Sequence, residues 1–60
     1  MRAITNDDLW ACIRGLRMAR MTREELGELI ARHKKLAGTM FASAVIVEAA
    51  TQMAARWGRA

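Results

Sequence analysis

Two short stretches share one alternation of apolar and polar positions: Ile4-Thr5-Asn6-Asp7-Asp8-Leu9 and Met21-Thr22-Arg23-Glu24-Glu25-Leu26. In each, the Thr hydroxyl can accept from the N–H three residues on, and the acid at that third position can reach back. The flanking apolar pair can close as a hydrophobic staple. Acids in the first turn also favour the positive end of a helix, so each stretch marks a helix N-terminus. The segments beyond the two caps differ in length and composition, so the two signals do not mark a duplicated domain. After the first cap, Leu9, Cys12, Ile13, Leu16 and Ala19 fall on one side at 100° per residue. This predicts a first helix from about residue 6 to about residue 18. Trp10, Arg14 and Arg17 fall on another side with Met18 beyond them, which sets an indole one turn from two guanidinium groups.

After the second cap, Leu26, Leu29/Ile30, His33, Leu36/Ala37, Met40, Ala44, Val47, Thr51 and Ala54 alternate three and four apart to near Trp57. The spacing predicts one continuous second helix from about residue 23 to about residue 57, roughly 52 Å long at about 1.5 Å per residue. Gly38-Thr39 is the competing signal, because Gly after Lys34-Lys35-Leu36-Ala37 resembles a helix stop and Thr39 can cap a third helix. The stripe stays in phase past Gly38, however, and an interior glycine costs only about 1 kcal/mol. A first helix less than half as long covers only the first part of the second. The segment from Met40 to Ala55, apolar nearly all round, then needs cover from another molecule.

The expected architecture is therefore all-α and a single domain over residues 1–60: a helical hairpin, short helix then long, assembling into a homo-oligomeric bundle of at least two chains. Its interface would use Met40, Phe41, Ala44, Val47, Glu48, Thr51, Ala54 and Trp57. In an antiparallel pair of long helices centred between Met40 and Phe41, His33 of one chain lies level with Glu48 of its partner. That pair is expected to set the register, since a lone polar group on an apolar stripe is costly.

Composition agrees with a fold that needs support. At 60 residues and 53% hydrophobic, the chain is too apolar to stay disordered, yet a domain of this size buries only about 60% of its unfolded surface. A single Cys12 excludes a disulfide framework and no Cys/His set has zinc-ligand spacing, which leaves self-association. Leu36 to Ala55 is long enough to span a bilayer. Gly38, Thr39, Ser43, Thr51, Gln52 and a mid-span Glu48 argue against it. Arg2 leads into acidic Asn6-Asp7-Asp8 and not into an apolar core, so no secretory signal is read and the cytoplasm is the expected location.

The chemistry on offer is binding. One His, one Cys and six carboxylates, five of them near helix N-termini, make no nucleophile–base–acid set, and no Gly-rich phosphate loop is present. A non-enzymatic protein with no cofactor and no metal is expected. Ten Lys and Arg against six acids give a net charge of +4. Arg20, Arg23, Arg32, Lys34 and Lys35, joined by Arg14 and Arg17, are candidates for nucleic-acid backbone or a small anion, although Glu28 four before Arg32 also makes an ordinary solvated pair. Arg23 to Ala31 resembles the opening of a helix-turn-helix domain, but the chain then continues into Lys34-Lys35 and an apolar segment unsuited to a DNA groove.

Trp10, Arg14, Arg17 and Met18 form the candidate face for a protein partner, since Trp and Arg are common hot spots. The expected role is a small regulatory or inhibitory module that acts by protein–protein recognition as a homo-oligomer. The alternatives are nucleic-acid binding through the basic patches and sequestration of a small anionic ligand between protomers.

Overall fold

Both capping boxes form, and each starts a helix. Thr5 Oγ1 accepts from the Asp8 N–H at 3.3 Å while the Asp8 carboxylate accepts from the Thr5 N–H at 2.9 Å. Thr22 and Glu25 repeat the exchange at 3.1 and 2.9 Å. The computed structural model describes the backbone of residues 2–59 and the side chains of residues 2–56. It comprises α1 (Asn6–Gly15), a 3-10 turn (Met18–Arg20), α2 (Arg23–His33), a second 3-10 turn (Leu36–Gly38) and α3 (Phe41–Arg59). The described residues contain no strand, so the fold is all-α.

The first helix stops earlier than its apolar spacing predicts. Gly15 is its last residue, the Leu16 N–H returns to the Cys12 carbonyl at 3.0 Å, and Arg17 takes a left-handed conformation at φ 54°. That conformation ends many helices, normally at a glycine, and costs a side-chain-bearing residue roughly 1–2 kcal/mol. Its consequence corrects one sequence expectation. Met18, placed on the outer face by helical periodicity, is swung inward and is 0% exposed. It is therefore a core residue and not part of a recognition face.

The second helix expected from the periodicity is two helices. After His33 the chain turns through Leu36–Gly38, and the Leu36 carbonyl accepts from the Thr39 N–H at 3.1 Å, the Met40 N–H at 2.8 Å and the Thr39 hydroxyl at 3.5 Å. Gly38 and Thr39 are weak helix formers with little to lose by leaving the ladder. The gain is burial within the chain: α3 packs on α2 and, separately, on α1, sinking Val45, Ala49, Ala50 and Met53. Burying Val45 and Met53 alone contributes about 3–6 kcal/mol, against roughly 1 kcal/mol for each ladder bond not made. The apolar stripe stays in phase across the break because α2 and α3 face one core; the period reports burial and not helix continuity.

This arrangement also corrects the expected pairing of long helices. With a turn at residues 34–40 there is no unbroken helix to align about Met40 and Phe41, and the His33–Glu48 register pair loses its geometry. Part of the segment expected to lie bare is covered by the chain itself. The core is thin nonetheless, with Met18 and Leu26 the large side chains that reach full burial. α1 and α2 barely touch each other, so α3 is the common support.

A glycine in the middle of α2 gives a direct check of this packing. A methyl group on Gly27 would meet no atom within 4 Å. Gly27→Ala is expected to stabilise the fold by about 0.5–1 kcal/mol and raise Tm by roughly 2–8 °C. Loss of the α2 cap in Thr22→Ala is expected to destabilise it by about 1 kcal/mol. Thermal melts followed by circular dichroism read both.

Candidate functional site

Trp10 lies on α1 with its side chain 47% exposed. The Arg56 guanidinium carbon sits 5.7 Å from the indole centroid, a cation–π contact that ties α1 to the far part of α3. Beside this pair runs a groove of about 240 Å³ lined by Asn6, Leu9, Ile13, Gln52 and Met53. That volume is below the roughly 300–1,000 Å³ of small-molecule sites and suits one or two side chains of a partner. Gln52 Nε2 donates to Glu48 Oε1 at 3.1 Å, so a carboxylate lies one turn away along α3.

Of the residues expected beside Trp10, only Arg14 stays on α1 with it. Arg17 leaves the helix through its left-handed turn, remaining exposed, and Met18 is buried. Arg56 takes the place expected for Arg17. No local pattern points to it, because 45 residues lie between it and Trp10 in the chain.

The basic residues divide into two groups at the two ends of α2, about 16 Å apart for an 11-residue helix. Arg20 and Arg23 border an open depression of about 410 Å³ with Ala19, Met21 and Thr22. Lys34 and Lys35 are exposed in the turn after α2. Arg32 lies in α2's last turn and lines a smaller groove with Met21, Glu25, Glu28 and Leu29.

The residues expected to form an oligomer interface are dispersed. Met40 is 49% exposed; Phe41 is half-buried beneath the Arg2 guanidinium at 4.4 Å. Ala44, Val47 and Ala54 are half-buried, while Glu48 and Thr51 are exposed, with Thr51 Oγ1 donating to the Val47 carbonyl at 2.7 Å. The Trp57 side chain lies outside the described residues. His33 is placed instead against Ser43, Nδ1 to Oγ 3.1 Å, clasping the end of α2 to the start of α3. A Ser–His pair at this distance is also the geometry of an activated nucleophile. Here Ser43 is only 3% exposed and is held among packed helices, so the bond satisfies a buried hydroxyl.

Arg2 carries no local signal of its role in the sequence. Its guanidinium makes two bonds of 2.7 Å to the Asp8 carboxylate and covers the Phe41 ring, joining the N-terminal segment, α1 and α3. The fork-to-fork geometry and the Thr5 N–H hold the Asp8 carboxyl far below the usual carboxylate range. Burial pushes the half-buried Cys12 thiol up, away from thiolate reactivity. Among the described residues no His, Cys, Asp and Glu group has the arrangement to hold a metal ion, and no helix is long and apolar enough to cross a membrane.

Compared with known protein families, with curated proteins and with solved structures, the chain matches none. The fold and its surfaces define a small all-helical protein with a half-exposed tryptophan platform and two basic ends.

The Asp8 contacts give a pH dependence of known sign. A carboxyl whose folded-state pKa is depressed contributes stability that is complete above its unfolded value near 3.8 and drains away as pH falls below it. Thermal stability is therefore expected to drop from about pH 4 downward, and less steeply in Asp8→Asn. Carboxyl NMR titration should show Asp8 moving back toward its ordinary value in Arg2→Gln. An unchanged Asp8 titration in that variant would remove Arg2 as the cause.

Proposed function

We propose that this protein is a small, non-enzymatic regulatory or inhibitory binding module of the cytoplasm that recognises another protein through the Trp10 face and works as a homo-oligomer. The observation that carries the reading is the posture of Trp10. A large aromatic side chain is left half in water although the core beneath it is thin, and Arg56 holds its ring in place. A ring fixed before binding loses little conformational entropy on contact, which is the property of a binding anchor. The adjoining groove has room for a partner's side chain, and Arg56 at its lining supplies a donor.

Self-association is supported by what the single chain leaves exposed. Leu36 and Met40 present apolar side chains at the α2–α3 turn, and Leu16 does so at the α1 end. A 60-residue chain with two large side chains fully buried gains from covering them.

Affinity capture with the immobilised protein tests recognition. A partner retained by the wild type is expected to be lost with Trp10→Ala, at a cost of about 2 kcal/mol or more, which is roughly 30-fold in Kd. It is expected to be kept with Arg32→Gln/Lys34→Gln/Lys35→Gln, and to survive raised salt. Equal capture by wild type and Trp10→Ala would refute the assignment. Absolute mass by light scattering reads the oligomer directly, and a monomer at all concentrations would remove self-association from the proposal.

A further inference from the structure

Arg14, Arg17, Arg20 and Arg23 lie within ten consecutive residues that include no acid. They gather at the corner where α1 ends and α2 begins, and all four are exposed. The one ion pair among the described residues joins Arg2 to Asp8, so none of the four has a counter-ion within 4.0 Å there. Glu24 and Glu25 follow Arg23 directly in the chain; Glu25 is committed to the Thr22 N–H at 2.9 Å, and Glu24 makes no ion pair with any of the four.

Two of these arginines stand where the fold itself would prefer another residue. Arg17 occupies a left-handed position at φ 54°, the place for glycine. Arg23 is the first residue of α2, where a cation opposes the positive helix end. Residues that break a local rule without a structural gain mark functional positions. The basic run at the opposite end of α2 differs in this respect, since Arg32, Lys34 and Lys35 lie at a helix C-terminus that cations stabilise.

Between Arg20 and Arg23 the surface is concave, about 410 Å³, and open to solvent along one side. It does not enclose a small molecule, and its floor is mainly apolar; the charges that would meet a ligand are the guanidinium groups at its edges. Its remaining lining, Ala19, Met21 and Thr22, offers no aromatic platform and no side-chain amide for reading a base edge.

We infer that this arginine corner binds the phosphate backbone of nucleic acid, independently of base sequence and separately from the Trp10 face. Each guanidinium meets a phosphate, and binding is driven by release of the counterions those phosphates held.

Fluorescence anisotropy with a labelled duplex of about 20 base pairs and arbitrary sequence tests the inference across a salt series. Four phosphate contacts predict a slope of about −3.6 in log K against log salt, a loss of about 150-fold between about 50 and about 200 mM. Arg17→Gly and Arg23→Gln are expected each to reduce the slope by about 0.9 while leaving Tm equal to or above that of the wild type. A folded variant with weaker binding separates function from stability. Lys34→Gln/Lys35→Gln is expected to leave the slope unchanged. Absence of duplex binding, an unaltered slope in the two arginine variants, or an equal fall in the lysine variant would overturn the assignment. Displacement of the duplex by poly-glutamate at equal charge concentration would overturn it as well, by showing an acidic polypeptide as the ligand.

Discussion

Shared burial of α3 is the constraint on which the rest depends. α1 and α2 scarcely meet, so each is held in place by what it buries against the third helix. Ala49 and Ala50, fully buried on α3, have side chains small enough to let neighbouring elements approach closely. Met18 from the first turn and Leu26 from α2 complete the packing at full burial. None of this can occur unless the chain turns between His33 and Phe41. The Leu36 carbonyl, accepting from both backbone and side chain of the turn, supplies the hydrogen bonds that the interrupted helix gives up. The His33–Ser43 bond then fastens the two sides of that turn to each other.

The parts of this fold legible in the sequence are those encoded by neighbours. Thr5 with Asp8 and Thr22 with Glu25 are three residues apart, so the capping boxes and the starts of α1 and α2 can be read directly. The all-helical class comes from the periodic apolar positions. The turn at residues 34–40 is harder, because Gly38-Thr39 marks a place to stop while the stripe on either side remains in phase. Two helices flanking one core produce the same phase as one long helix, and only the energy of packing separates them. Arg17 escapes for a related reason: nothing in an arginine announces a left-handed residue, and the inward position of Met18 depends on it.

The surfaces are legible as residue types and less so as places. Trp10 is readable as an outward-facing residue from the helical side it shares with Arg14 and Arg17, but its partner Arg56 comes from the opposite end of the chain. Arg2, Asp8 and Phe41 likewise meet only after folding. The basic residues, which read as one diffuse set, are sorted by α2 into two ends with different helix-dipole environments. One end is electrostatically favourable to its own helix and the other is not. A chain of this size thus carries an aromatic platform on α1 and an adverse cationic corner running from the end of α1 through the turn to the start of α2.

The turn itself is open to a single distance measurement. Spin labels at Glu24→Cys and Ala55→Cys, in a Cys12→Ser background and diluted with unlabelled protein, report the separation of the two sites within one chain. Packing of α3 on α2 predicts a separation shorter than the 33 Å longest dimension of the molecule. A separation near 47 Å, the rise of about 1.5 Å for each residue of an uninterrupted helix, would contradict it.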